Sequence, residues 1–245
     1  MQTYRNANAP QPQPAGNDPV LARLPQALVS GLHLSRYRRT TISRGRSIIE
    51  AGRDVDTVYI ISTGWAVARL SIDTGDTQIL DILGPGSMAG LSRLEDAPNP
   101  AYSAIALQDV QAYPIAVAKL RDLCANDETL GLWLSDTQSH EAKRAQRHIA
   151  ALGRLPARGR LAFALLRILD VAQQTGENAV DTQIRLPMTQ EEIGNMLGLT
   201  NVSISKLMSA FRKEGMIDYG RNRVLVHDID ALSDICGMKP EGLKA

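Results

Sequence analysis

The chain has 245 residues, 44% of them hydrophobic and 22% charged, with a formal net charge of +1. That is the balance of a folded globular protein with one large or two ordinary domains, and so small a net charge neither requires nor excludes nucleic acid, since binding depends on where Lys and Arg cluster. No run reaches the 18 or so uncharged apolar residues of a membrane span, and the first 19 residues lack the apolar core of a signal peptide, so a cytoplasmic protein without a membrane partner is expected. Cys124 and Cys236 stand 112 positions apart, which suits neither a disulfide framework nor a zinc or iron–sulfur site; each reads as a small buried hydrophobe.

Residues 1–18 hold Pro10, Pro12 and Pro14 among Asn, Gln and Ala and read as a disordered arm. Asn17 or Asp18 before Pro19 is a candidate helix start, with Val20, Leu21, Leu24 and Leu28 toward a core. From about residue 32 to 117, β-type runs are separated by glycines roughly ten residues apart, from Gly45 to Gly90, the rhythm of an all-β sandwich, roll or barrel. Val58–Ile61 and Trp65–Ile72 read as strands. Asp73–Asp76 supplies turn chemistry to fold the second of these onto Gln78–Leu83. Ser103–Ala118 reads as a further strand pair, broken near Pro114. These elements predict a sensor domain over residues 19–125.

Residues 126–154 form one long predicted helix. Ala142, Ala145, Ile149 and Leu152 recur at spacings of three, four and three, as in the a/d seam of a coiled coil, and predict a homodimer. A further helix over 155–176 is apolar enough to be buried, and a polar loop follows.

The segment from Met188 to Leu207 carries the functional signal. Thr189 with Glu192 three residues later is a capping box, Gly198 suits a left-handed helix end, and Thr200 can cap a second helix after a short turn. Two helices joined so tightly, the second turning Ile204, Leu207, Met208 and Phe211 inward, predict a helix-turn-helix. The outward residues of the second helix are then Asn201, Val202, Ser203, Ser205 and Lys206, a set able to pair with adenine, contact a thymine methyl and donate to guanine. Residues 217–226 read as a hairpin wing turning at Gly220–Asn222, with Arg221 and Arg223 placed for phosphates. Residues 200–223 contain five basic and two acidic groups, so positive charge gathers where double-stranded DNA would lie. Residues 155–235 are the expected DNA-binding domain and 236–245 a tail. Nothing resembles a phosphate loop, a metal-ligand spacing or a nucleophile with its base, so no enzyme is expected.

Five motifs, in order, resemble the Crp/Fnr superfamily of bacterial transcription regulators: Ser47–Gly52, Val58–Gly64, Leu83–Gly86, the junction from Gly153-Arg154 to Arg160–Ala162, and the helix-turn-helix. The resemblance covers about residues 30–230. It implies an α+β chain with an N-terminal cyclic-nucleotide-binding-like β-roll, a long dimerisation helix and a C-terminal winged helix-turn-helix. It also implies phosphate contacts from Thr189 and Gln190, groove reading by Thr200, Asn201, Val202, Ser203 and Lys206, a palindromic operator, and contact with RNA polymerase if the protein activates.

The chain departs from the family's usual pattern in both halves. Val202 stands where readers of the common half-site usually carry Glu, and Lys206 where they carry Arg. At the sensor end, the Glu and Arg that hold a cyclic nucleotide correspond to Gly90 and to Tyr102 beside Ser103. A phosphate without an arginine would stay desolvated and unpaired, so cyclic AMP is not expected. An effector pocket, if there is one, would involve Gly90, Leu91, Tyr102 and Ser103. One cysteine in the sensor half excludes an iron–sulfur cluster. No cofactor is evident; haem on His33, His140 or His148, a small-molecule effector, and thiol sensing by Cys124 stay open. The alternative of another class is a small-molecule receptor that signals through protein contacts.

Overall fold

The computed structural model describes residues 18–36, 38–53, 56–72, 75–94, 100, 102–175, 183–185, 188–220 and 223–238; the predicted arm up to Asn17 and the wing-turn pair 221–222 lie outside them. The first α-helix is not where Pro19 would start it. A 3-10 turn at Leu21–Arg23 comes first, and α1 spans Gln26–Gly31. Pro25, which has no N–H and disfavours helical backbone at Leu24, delays the start. Val20 and Leu28 are buried nonetheless, with Leu21 and Leu24 packed against the same cluster. Asp18, at the end of the predicted arm, is fixed in the packed body by the hydroxyls of Ser62 and Tyr113 and by Arg39.

Eight strands follow: β1 (Thr40–Ile42), β2 (Ser47–Ile49), β3 (Thr57–Thr63), β4 (Ala66–Ser71), β5 (Thr77–Leu83), β6 (Met88–Ala89), β7 (Ser103–Ala106) and β8 (Val110–Ala116). They form two four-stranded sheets, ordered β1-β8-β3-β6 and β2-β7-β4-β5. The β4–β5 hairpin is antiparallel from Ala66↔Leu83 to Ser71↔Thr77, as its turn chemistry predicts. The last strand pair breaks at Leu107–Asp109 and not at Pro114, which lies inside β8 opposite Tyr59. Because β1 pairs only with Val110 to Ala112, one side of β8 has no ladder partner at Pro114 among the described residues, and a proline is tolerated there.

The chain turns helical already at Val117. α2 (Val117–Asn126) precedes the long helix α3 (Glu128–Arg154), whose N-cap is Asp127. α4 (Ala157–Thr175) is heavily buried, from Leu161 to Ala172. β9 (Gln183–Arg185), α5 (Gln190–Leu197), α6 (Asn201–Lys213), β10 (Ile217–Gly220), β11 (Arg223–Val226) and α7 (Ile229–Cys236) complete the described chain. Cys236, assigned to the tail by sequence, closes α7 and is buried.

One apolar cluster crosses from the β-roll into the helical domain, joining Trp65, Val67 and Ile82 to Phe163, Leu166 and Met196. Polar contacts reinforce it. Asp81 of β5 accepts from Arg144 of α3 at 3.1 Å and from Arg167 of α4 at 3.1 Å, while Arg167 also holds Asp170 at 3.0 Å. Burial alone would raise the Asp81 carboxyl, but the charges and hydrogen bonds of Arg167 and Arg144 outweigh it and hold it below the usual range.

Asp81→Asn leaves both guanidinium groups facing a neutral amide and is expected to cost about 2–3 kcal/mol in urea unfolding at neutral pH. A depressed carboxylate contributes fully above the unfolded-state value of about 3.9 and loses that contribution as pH falls through the folded value. The gap between wild type and variant should therefore hold from pH 7 to about 5 and close below about 4.

Candidate nucleic-acid interface

The helix-turn-helix is built from local rules. Thr189 caps α5: its Oγ1 accepts from the Glu192 N–H at 3.1 Å, and the Glu192 carboxylate accepts from the Thr189 N–H at 2.6 Å. Ile193, Met196 and Leu197 turn inward. Gly198 ends the helix in the left-handed region at φ +62°, and the Leu199 N–H returns to the Gly194 carbonyl at 3.0 Å. A Cβ on Gly194 would stand 2.5 Å from the Leu199 oxygen, so the tight turn requires glycine there. Thr200 then caps α6, accepting from the Ser203 N–H at 3.2 Å, with the two hydroxyls 2.9 Å apart.

The carbonyls at the C-terminus of α5 are satisfied from three elements. Gln78 of β5 donates to the Met196 oxygen at 3.0 Å, the His148 Nε2 of α3 lies 2.9 Å from the same oxygen, and Arg160 of α4 donates to the Leu197 oxygen at 3.2 Å. Helix ends need such partners, and here they also set the angle of the motif against the β-roll. At the far end of α6, Arg158 of α4 stacks on Phe211, 4.8 Å from the ring centroid, and forks onto both oxygens of Glu214.

Ile204, Met208 and Phe211 are buried, leaving Asn201, Val202, Ser205 and Lys206 exposed on the opposite face, with Ser203 half-buried. Thr189 is exposed and Gln190 half-buried at the start of α5. Arg223 is exposed, opposite Gly220 in the wing ladder; Arg221 lies outside the described residues. A third strand, β9, pairs with β11 and widens the wing beyond the predicted hairpin.

Sequence reasoning left four residues out of the site. A groove between α6 and β10 is lined by Ser205, Lys206, Ser209, Arg212, Lys213 and Tyr219. Tyr219 meets the Ser209 hydroxyl at 3.1 Å and lies under the Arg212 guanidinium, which also reaches Asp218 at 3.3 Å. Ser209, Arg212 and Lys213 continue the stripe of Val202, Ser205 and Lys206 at helical spacing, a signal that periodicity alone contains.

Two family profiles match the chain: a cyclic nucleotide-binding domain over residues 39–127 and a Crp-like helix-turn-helix domain over residues 159–235. The transcriptional regulatory protein btr of Bordetella pertussis is 28% identical over 201 residues, covering 82% of each chain. The fumarate and nitrate reduction regulatory protein of Escherichia coli K12 is 28% identical over 200 residues, covering 82% of this chain and 79% of that one. The chain belongs to the Crp/Fnr superfamily. Its fold matches that of FixK2 from Bradyrhizobium japonicum with a TM-score of 0.73 at 24% identity, over 80% of this chain and 96% of that one.

The sensor end of this Crp/Fnr regulator is held by its own side chains. Tyr102 takes a hydrogen bond from the backbone of Gly90, bridging two of the predicted pocket positions; burial, and secondarily the charge of Glu141, push its hydroxyl up to about 12. The Ser103 hydroxyl accepts from the Ala51 N–H at 3.0 Å. Leu91 turns away and packs with Val58 and Met88 in the cluster that faces α1 and α2. Cys124 lies on α2, half-buried, and burial with the nearby Asp127 charge raises its thiol, the opposite of what a reactive thiolate needs. His148 serves the Met196 carbonyl, while His33 and His140 are exposed elsewhere.

Gly194→Ala is expected to force the two helices apart, costing about 1–3 kcal/mol as overpacking does, seen as a lower unfolding midpoint together with weakened DNA binding.

Proposed function

We propose that the protein binds a palindromic operator as a homodimer in the cytoplasm, each protomer laying α6 in the major groove about one DNA turn, roughly 34 Å, from the other. The observation that carries this reading is the exposed face of α6. Asn201, Val202, Ser205 and Lys206 stand clear of the core on a helix capped at its DNA end, and Val202 is 64% exposed although it is a large hydrophobe. An apolar side chain there suits the methyl group of thymine, and Lys206 suits the acceptors of guanine. Thr189 and Gln190, with Arg212, Lys213 and Arg223 flanking, supply phosphate contacts, which position the helix without reading sequence.

Dimerisation rests on α3. Ala142, Ala145 and Ile149 are exposed and Leu152 half-buried, and Leu132 and Ile149 show 62% and 69% of their surface. Burying that stripe against the same stripe of a second copy closes an isologous interface. The effector is other than cyclic AMP, because Tyr102 stands where a phosphate would need an arginine.

Selection of bound duplexes from a random DNA library tests the whole reading, with an enriched palindrome expected and absence of enrichment counting against it. Lys206→Ala should weaken binding to that palindrome by about 1–3 kcal/mol, the value of one good base contact, and leave the dimer intact. Ile149→Glu should give monomers by sedimentation and lose operator binding at the same protein concentration; a dimeric variant would refute the seam.

A further inference from the structure

A cleft of about 240 Å³ separates the outer face of the second sheet from α5, lined by Arg44, Arg69, Thr77, Ile79, Glu192 and Asn195, with Val67 and Ile105 as apolar floor. Its charges are unbalanced. Glu192 already gives a carboxylate oxygen to the Thr189 N–H at 2.6 Å. Among the described residues neither Arg44 nor Arg69 has an ion pair, and the Nε of Arg69 is buried without a hydrogen-bond partner. Arg44 is exposed and Arg69 half-buried; other half-buried arginines have partners, Asp18 for Arg39, Asp81 for Arg144 and Arg167, and the Leu155 and Leu197 carbonyls for Arg160. A buried guanidinium N–H left unpaired is costly and rare in folded proteins.

We propose that this cleft binds a small metabolite bearing one oxyanion group, carboxylate or phosphate, on a short apolar body. The oxyanion sits between Arg44 and Arg69, where a guanidinium fork can hold it through two parallel hydrogen bonds. The Asn195 amide supplies a donor from the α5 side, and the body lies over Val67, Ile79 and Ile105. The volume falls just under the roughly 300–1,000 Å³ of drug-sized sites, which sets a ligand of a few carbons. The site lies outside the β-roll interior that holds Tyr102. Such a ligand ties the sheet to the first helix of the DNA-binding motif, so its binding and operator binding alter each other by the same factor. The site itself rests on the domain interface; only that coupling depends on the DNA-binding reading.

The test is calorimetry of the full chain with benzoate, glycerol 3-phosphate and inorganic phosphate at constant ionic strength. At least one organic probe is expected to bind saturably, one per protomer. Arg44→Gln and Arg69→Gln should each weaken it roughly tenfold or more, the worth of a charged hydrogen-bonded contact. Arg46→Gln, which removes the same charge from an exposed neighbour, should leave it unchanged. If Arg69→Gln unfolds, Asn195→Leu serves in its place, narrowing the cleft from the exposed side of α5. Absence of saturable binding by every probe, or equal weakening in Arg46→Gln, overturns the proposal. So does loss of operator affinity in ligand-free Arg44→Gln without probe binding, which would assign that arginine to DNA phosphate instead.

Discussion

Among the described residues, Asp81 is the carboxylate on which three parts of the molecule converge: the β4–β5 hairpin that carries it, the long helix through Arg144, and the first helix of the DNA-binding domain through Arg167. With the apolar cluster that runs from Trp65 to Met196, it makes the β-roll and the helix-turn-helix one packed body instead of two beads on a string. Close-packed interfaces move as units, so a displacement of β5 is passed to α4 and, through the Gln78 bond to the Met196 carbonyl, to α5. The orientation of α6, on which groove reading depends, is therefore set by a strand of the sensor domain.

The same carboxylate reaches toward the sensor interior. Arg144 also approaches Glu141, at 4.0 Å. Burial lifts the Glu141 carboxyl to about 7, with Arg144 opposing and Asp81 adding to the rise, and Glu141 in turn contributes to the raised Tyr102 hydroxyl. Tyr102 and Glu141 thus lie in the field of the Arg144–Asp81–Arg167 ion-pair cluster that reaches α4. A displacement of β5 reaches this cluster directly, through Asp81.

What could be read from the sequence divides by range. The helix-turn-helix was legible because its determinants are neighbours: Thr189 and Glu192 three residues apart, Gly198 at the helix end, Thr200 before the next helix. The β4–β5 hairpin was legible for the same reason. The break at Leu107–Asp109 was misplaced because Pro114 is tolerated only by virtue of where β1 ends, which no local rule reports. The sequence marks no helix between a strand pair ending at Ala118 and a long helix from residue 126, because Val117–Asn126 begins without a capping side chain. Asp18 looked like part of the arm until Ser62, Tyr113 and Arg39, tens of residues away, closed around it. The Arg44–Arg69 cleft was invisible for a related reason: both arginines look like ordinary surface charges until α5 is laid across them.

The caps also sharpen the expected groove contacts. Thr200 and Ser203 sit with the expected readers at the N-terminus of α6, yet their hydroxyls bond each other and the Thr200 Oγ1 also accepts from the Ser203 N–H. A side chain committed to the helix end can still touch a phosphate, but it has little freedom left to discriminate bases. On the proposed reading, direct recognition therefore falls to Asn201, Val202, Ser205 and Lys206, of which only Lys206 carries charge. Charged contacts are then concentrated on the flanks, at Arg212, Lys213 and Arg223. Such a division gives affinity to the phosphates and leaves sequence choice to one amide, one methyl contact, one hydroxyl and one ammonium group.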